Sequence, residues 1–153
     1  HALEPAVMLL TPKELGAAGL TQFPTVIGGV VPVGNVPGIR PGQITLDGAT
    51  LADIYMGKIA NWADPAIKKL NPGVNLPNKG ISVVHRSDGS GTTFIFATYL
   101  SRISAAWKND VGADTAIDWP TGIGAKGIVA TTRWLTFRSV TFGPASRMVP
   151  AAW

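Results

Sequence analysis

Residues 83–94 read VVHRSDGSGTTF. Val83 and Val84 are β-branched and apolar, as a buried strand is, and Ser87-Asp88-Gly89-Ser90-Gly91 turns the chain into a helix headed by Thr92 and Thr93. The first peptide N–H groups of a helix lack an intrahelical partner and sit at the positive end of its dipole, so this junction is a socket for an oxyanion. Gly89 and Gly91 carry no Cβ to hold a ligand off the backbone. Ser90, Thr92 and Thr93 add hydroxyl donors, and Arg86 offers a planar fork that matches two oxygens of a tetrahedral anion. Asp88 is the odd member: it repels an anion unless it pairs with Arg86 or accepts a hydrogen bond from a ligand that still carries a proton. Hydrogen phosphate has such a proton and sulfate at neutral pH does not, so an acceptor here is a selectivity device.

Competing chemistries fit less well. GxxxxGK[ST] is absent and no lysine follows Gly91, which argues against a nucleoside-triphosphate loop. Position 88 is Asp where the GxSxG elbow of serine hydrolases needs Gly. His85, Asp88 and Ser90 are the residue types of a catalytic triad, but six residues are too few to aim three side chains at one another, and His85 reads as a strand-end histidine with a structural hydrogen bond. The Asp88-x-Ser90-x-Thr92 spacing lacks the later bidentate Glu of a calcium loop. No carboxylate pair stands out as an acid/base couple and no His/Asp/Glu cluster has metal-ligand spacing, so no catalytic residue, metal or cofactor is expected.

Working outward, Thr11-Pro12-Lys13-Glu14 reads as a capping box opening a short helix. TVIGGVVPVGNV (Thr25 to Val36) is β-branched and apolar but broken by glycines and prolines, as a bent or crossing strand is. Thr50 reads as the N-cap of a second helix with Leu51, Ile54, Tyr55 and Ile59 on one face, and Asp64-Pro65 opens a third that Asn71-Pro72-Gly73 stops. Ile81 to Val84 is the expected strand. Beyond Gly91, Phe96, Leu100, Ile103 and Trp107 form one apolar helical stripe, and Tyr55, Trp62, Tyr99 and Trp107 are expected to pack in the core. Strand, helix, helix, strand, helix is an α/β order, in which ligands sit at the carboxyl ends of strands. Residues 127–153 show only β-like alternations, Trp134/Thr136 and Phe137/Ser139.

The 153 residues, 46% hydrophobic with 18 Gly and 12 Pro, suit one turn-rich globular unit. There is no cysteine, so disulfides and Cys-based metal sites do not arise. No apolar run approaches a membrane span of about 20 residues. The net charge is +4, but Arg133, Arg138 and Arg147 fall in the last 27 residues, which hold no acid, while the body is nearly balanced. No basic stripe interleaved with aromatics appears, and nucleic acid is not an expected partner.

At these residues the chain resembles the periplasmic phosphate-binding proteins of bacterial phosphate ABC transporters. The resemblance is carried by QFPTVIGGVVPV (Gln22 to Val33), NVPGIRPGQ (Asn35 to Gln43), LADIYMGKIANWADPAIKKLNPG (Leu51 to Gly73), VVHRSDGSGTTFIF (Val83 to Phe96) and DWPTGIGAKG (Asp118 to Gly127). It implies an α/β lobe of the hinged, two-lobed type II periplasmic-binding-protein fold. Residues 1–24 would be a remnant leading from the first lobe, 25–127 the second lobe, and 128–153 a divergent tail. It implies that Arg86, Ser90, Gly91 and Thr92 contact inorganic phosphate while Asp88 pairs with Arg86 and tunes the site. It further implies a periplasmic, monomeric, non-enzymatic binding protein that serves ABC permease subunits. The family's first-lobe Ser and proton-accepting Asp fall on Ala6 and Val7, and its pattern is lost beyond Gly127. The expectation is therefore a partial chain without a signal peptide, with truncated or frame-shifted ends and weak phosphate binding. A phosphate-ester hydrolase using the same cradle, or a remnant that binds nothing, are the alternatives.

Overall fold

The computed structural model describes residues 10–24, 27–126 and 136–142. Helix α1, Pro12–Ala18, begins as the sequence predicts: the Thr11 hydroxyl accepts from the Glu14 N–H while the Glu14 carboxylate accepts from the Thr11 N–H at 2.7 Å. Gly19 ends it in the left-handed conformation, φ 64°. Strand β1, Ile27–Val33, lies within the expected apolar run.

Helix α2 spans Gly48–Tyr55, and its N-cap is Asp47, whose Oδ1 accepts the Thr50 N–H at 2.8 Å. The expectation of Thr50 as cap is corrected: Thr50 stands inside the first turn and is buried. Helix α3, Pro65–Leu70, has the expected Asp64 cap. Asn71, at its end, is buried and bridges to the α2 approach, accepting from the Thr45 N–H and donating to the Thr45 and Ile67 carbonyls at 2.7–2.8 Å. A buried amide satisfied three times over fixes this turn without leaving a polar group unpaired.

Strand β2 is Val84–Arg86, displaced from the expected 81–84, so His85 and Arg86 stand on the strand itself. Helix α4 runs Gly91–Ile103 and stops at Ser104, whose backbone is extended and which at once caps α5, Ala105–Asp110, by accepting the Trp107 N–H. The expected single stripe is therefore split. Phe96 and Leu100 are buried on α4, Trp107 is buried on α5, and Ile103 is exposed. Tyr99 is also exposed, against the expectation that it packs in the core.

Strand β3, Ile123–Ala125, pairs with β2 in parallel, matching Arg86 with Ala125. The segment from β2 through α4 and α5 to β3 is thus a βαβ crossover, the predicted α/β logic. Strand β4, Thr136–Phe142, pairs antiparallel with β1, Ile27 opposite Phe142 and Val33 opposite Thr136. It lies in the stretch whose alternation pairs Phe137 with Ser139, whereas Trp134 falls outside the described residues, as do Ala6 and Val7. The core gathers Leu51, Ile54 and Tyr55 from α2, Ile67 from α3, Val83 before β2, Phe96, Ala97 and Leu100 from α4 and Trp107 from α5. Tyr55 meets Phe96 edge-on at 4.9 Å between ring centroids. No helix among the described residues is long and apolar enough to cross a membrane.

Candidate functional site

The site is built at the carboxyl end of β2. Arg86 is the last strand residue, and two positions on Asp88 turns back so that the guanidinium Nε donates to Oδ1 at 2.6 Å while Nη2 reaches Oδ2. The fork-to-carboxylate geometry is the bidentate one that fixes both planes. Arg86 and Asp88 are partly buried, their side chains 29% and 38% exposed, so their attraction is only partly screened by solvent. The hydrogen bond to Asp88 raises the Arg86 pKa, and burial opposes the rise.

Ser90 caps α4: its Oγ accepts the Thr93 N–H at 3.4 Å and its own N–H donates to the Thr115 carbonyl at 2.8 Å. The Ser90 hydroxyl keeps its proton to donate. The Gly91 and Thr92 N–H groups meet no acceptor among the described residues, which leaves the start of this 13-residue helix with donors for an anion. Thr93 is buried, so its hydroxyl leaves the set of surface donors that the sequence suggests.

A cleft of about 260 Å³ adjoins the pair, lined by His85 to Asp88 on one side and by Ala116, Ile117, Asp118 and Trp119 on the other. Ser90, Gly91 and Thr92 are not among its lining residues. The five candidate residues thus divide into a guanidinium–carboxylate pair in the cleft and a helix start next to it in the chain. The 116–119 wall comes from the connection between α5 and β3. Sequence reasoning noticed DWPTGIGAKG but assigned those residues no role, because only the crossover brings them back to β2. His85 stacks on Trp119, ring centroids 4.6 Å apart and planes 17° apart, and its Nδ1 lies 3.1 Å from the Arg86 carbonyl oxygen. A carbonyl only accepts, so that nitrogen carries the proton. Burial lowers the His85 pKa and this hydrogen bond opposes the shift. Among the described residues no three His, Asp or Glu side chains converge as a metal-binding set.

Comparison with known proteins follows from this geometry. A family model described as a PBP superfamily domain matches residues 9–142. Over 118 residues the chain is 57% identical to the protein named phosphate-binding protein PstS of Xylella fastidiosa, covering 77% of this chain and 32% of that protein. The like-named proteins of Pasteurella multocida and Methanocaldococcus jannaschii are 60% and 47% identical over 108 and 122 residues, 71% and 73% of this chain and 31% of each of theirs. The chain spans about a third of the length of the curated relatives it matches. Among solved structures, a DING protein superposes with a TM-score of 0.60 at 18% identity, over 88% of this chain and 40% of that one, a likeness of fold. With its α/β crossover seen and the family model matched from residue 9 to residue 142, the chain belongs to the PBP superfamily.

Proposed function

We propose that this chain is a lobe that binds inorganic phosphate for uptake through an ABC permease, in the periplasm, as a monomer and without catalysis. Residues 25–127 are that lobe. Arg86 supplies the charge, the Gly91 and Thr92 N–H groups and the Ser90 and Thr92 hydroxyls supply donors, and Asp88 orients Arg86 and screens the ligand by its proton. The observation that carries this reading is the Arg86–Asp88 bidentate pair, two residues ahead of the Ser90 cap of a helix whose Gly91 and Thr92 N–H groups meet no acceptor among the described residues. The names of relatives 57–60% identical to it support phosphate as the anion.

On this reading all the donors belong to one stretch of chain, residues 86–92, and so to one side of the anion. An anion held so keeps much of its hydration, and charge-assisted bonds stay weak where water competes. Calorimetry with phosphate and sulfate tests the reading. Binding in the millimolar range, stronger for phosphate and lost in Arg86→Ala, is the expected result. Micromolar or tighter affinity overturns the one-sided account, and an Arg86→Ala variant that binds as well as the parent overturns the site. A chromogenic phosphate ester should remain unhydrolysed, and turnover that Arg86→Ala abolishes would favour the hydrolase instead.

A further inference from the structure

His85 is not among the residues assigned to the anion, yet its ring is held by both a stack and a hydrogen bond. Its ring lies nearly parallel to the Trp119 indole. It also lies against two glycines, Gly122 just before β3 and Gly124 within it. A Cβ on Gly122 would stand 2.7 Å from the Val83 carbonyl oxygen and 3.0 Å from His85 Cδ2, and one on Gly124 would stand 3.0 Å from the Ser87 Cβ and 3.4 Å from His85 Cε1. Gly122, moreover, has φ +112°, which a side chain rarely adopts. Trp119 and two residues without Cβ thus make a seat for an imidazole, and from that seat Nδ1–H donates to the carbonyl of Arg86.

The main-chain atoms held in this way are those that carry the guanidinium. The Arg86 carbonyl accepts from His85 while the next N–H, that of Ser87, donates to the Ala125 carbonyl at 3.1 Å. The peptide between Arg86 and Ser87 is therefore gripped at both its oxygen and its nitrogen. Its orientation decides where the turn goes and so whether Asp88 meets Arg86. We infer that His85 is a positioning residue for the anion site: seated on Trp119 and beside Gly122 and Gly124, it holds the Arg86–Ser87 peptide so that the Arg86–Asp88 pair is formed before the ligand arrives. The role rests on the phosphate reading, but its first step, the ordering of Arg86, is measurable without any ligand.

Among the described residues, the charged groups that line the cleft with the ring are Arg86 and Asp88 on its own strand and turn and Asp118 on the facing wall. The experiment is NMR on the whole chain. In the parent protein, the nitrogen shifts of His85 should report the Nδ1–H tautomer, and the Arg86 Nε–H signal should exchange slowly with water because it is bonded to Asp88. His85→Phe keeps a ring and loses the donor. It should speed that exchange about tenfold, the equivalent of one hydrogen bond, and weaken inorganic phosphate binding several-fold. His85→Asn returns an amide near the Nδ1 position and should recover part of both. A purely structural role would lower the melting temperature in both variants and leave Arg86 exchange untouched.

An Nε2–H tautomer in the parent protein overturns the inference, and this readout requires no variant to fold. Unchanged Arg86 exchange in a folded His85→Phe overturns it too. Faster exchange in His85→Phe alongside a parent chain that ignores phosphate supports the positioning of Arg86 and removes the phosphate reading instead.

Discussion

At the residue scale, Arg86 and Asp88 illustrate what adjacency in the chain can and cannot specify. Their pairing was one of two roles that the sequence left open for a carboxylate beside an anion socket, and the one that the family resemblance implied. The seat of His85 was not legible. It depends on Trp119, Gly122 and Gly124, which no local pattern places beside residue 85. Burial lowers the His85 pKa, and the sign of its effect on stability follows. Between the folded value and the unfolded value of about 6.5, the unfolded chain binds a proton that the folded chain refuses. This stabilising contribution is complete above pH of about 6.5 and is lost as pH falls from there through the folded value. The melting temperature should drop across that window in the parent and drop less in His85→Gln; equal slopes in the two would refute the assignment. Trp119→Leu removes the His85 stack together with the ring contacts of Trp119 to Tyr55 and Trp107, and chemical denaturation should show a cost of at least about 1 kcal/mol.

At the scale of elements, caps were read more reliably than boundaries that depend on a partner. Thr11 and Asp64 cap the helices that their sequences announce, since a cap is made within four residues, and Ser90, read from the sequence only as an anion donor, is a cap as well. Asp47 was missed because Gly48 and Ala49 carry no apolar signal, so the periodic pattern begins at Leu51 and points to Thr50. The break between α4 and α5 was hidden by a stripe that continues across it. Strand β2 lay three residues beyond its expected start because its extent is set by β3, a three-residue Ile-Gly-Ala stretch too short to announce a strand. Asp47→Ala and Ser90→Ala should each lower stability by about 1 kcal/mol, as a lost N-cap does. Thermal melting with circular dichroism checks both. Only Ser90→Ala should also weaken phosphate binding, since its hydroxyl has two tasks.

At the scale of the molecule, the α/β class was readable from element order, as was the position of the candidate residues at a strand's carboxyl end. The pairing of β1 with β4 was not, because it joins segments that are far apart in the chain. The guanidinium–carboxylate pair is about a third exposed, so its field reaches solvent and salt can screen it. Phosphate affinity should fall as sodium chloride rises from about 0.01 M to about 0.15 M, a range over which the screening length contracts from about 30 Å to about 8 Å. Affinity independent of salt, measured by the same calorimetry, would place the anion in a drier site than this cleft.

The parallel register of β2 and β3 also has a kinetic consequence. Arg86 can meet Ala125 only after the whole of α4 and α5 has been laid between them, so the contact that grips the Arg86–Ser87 peptide closes a long loop. Such non-local pairings are entered late in folding, because their entropy must be offset by contacts already made. The helices can therefore form and collapse around Trp107 and Tyr55 in a chain that still has no anion socket. The geometry by which this sequence would recognise its ligand is thus acquired after the first helices, together with the other long-range pairings.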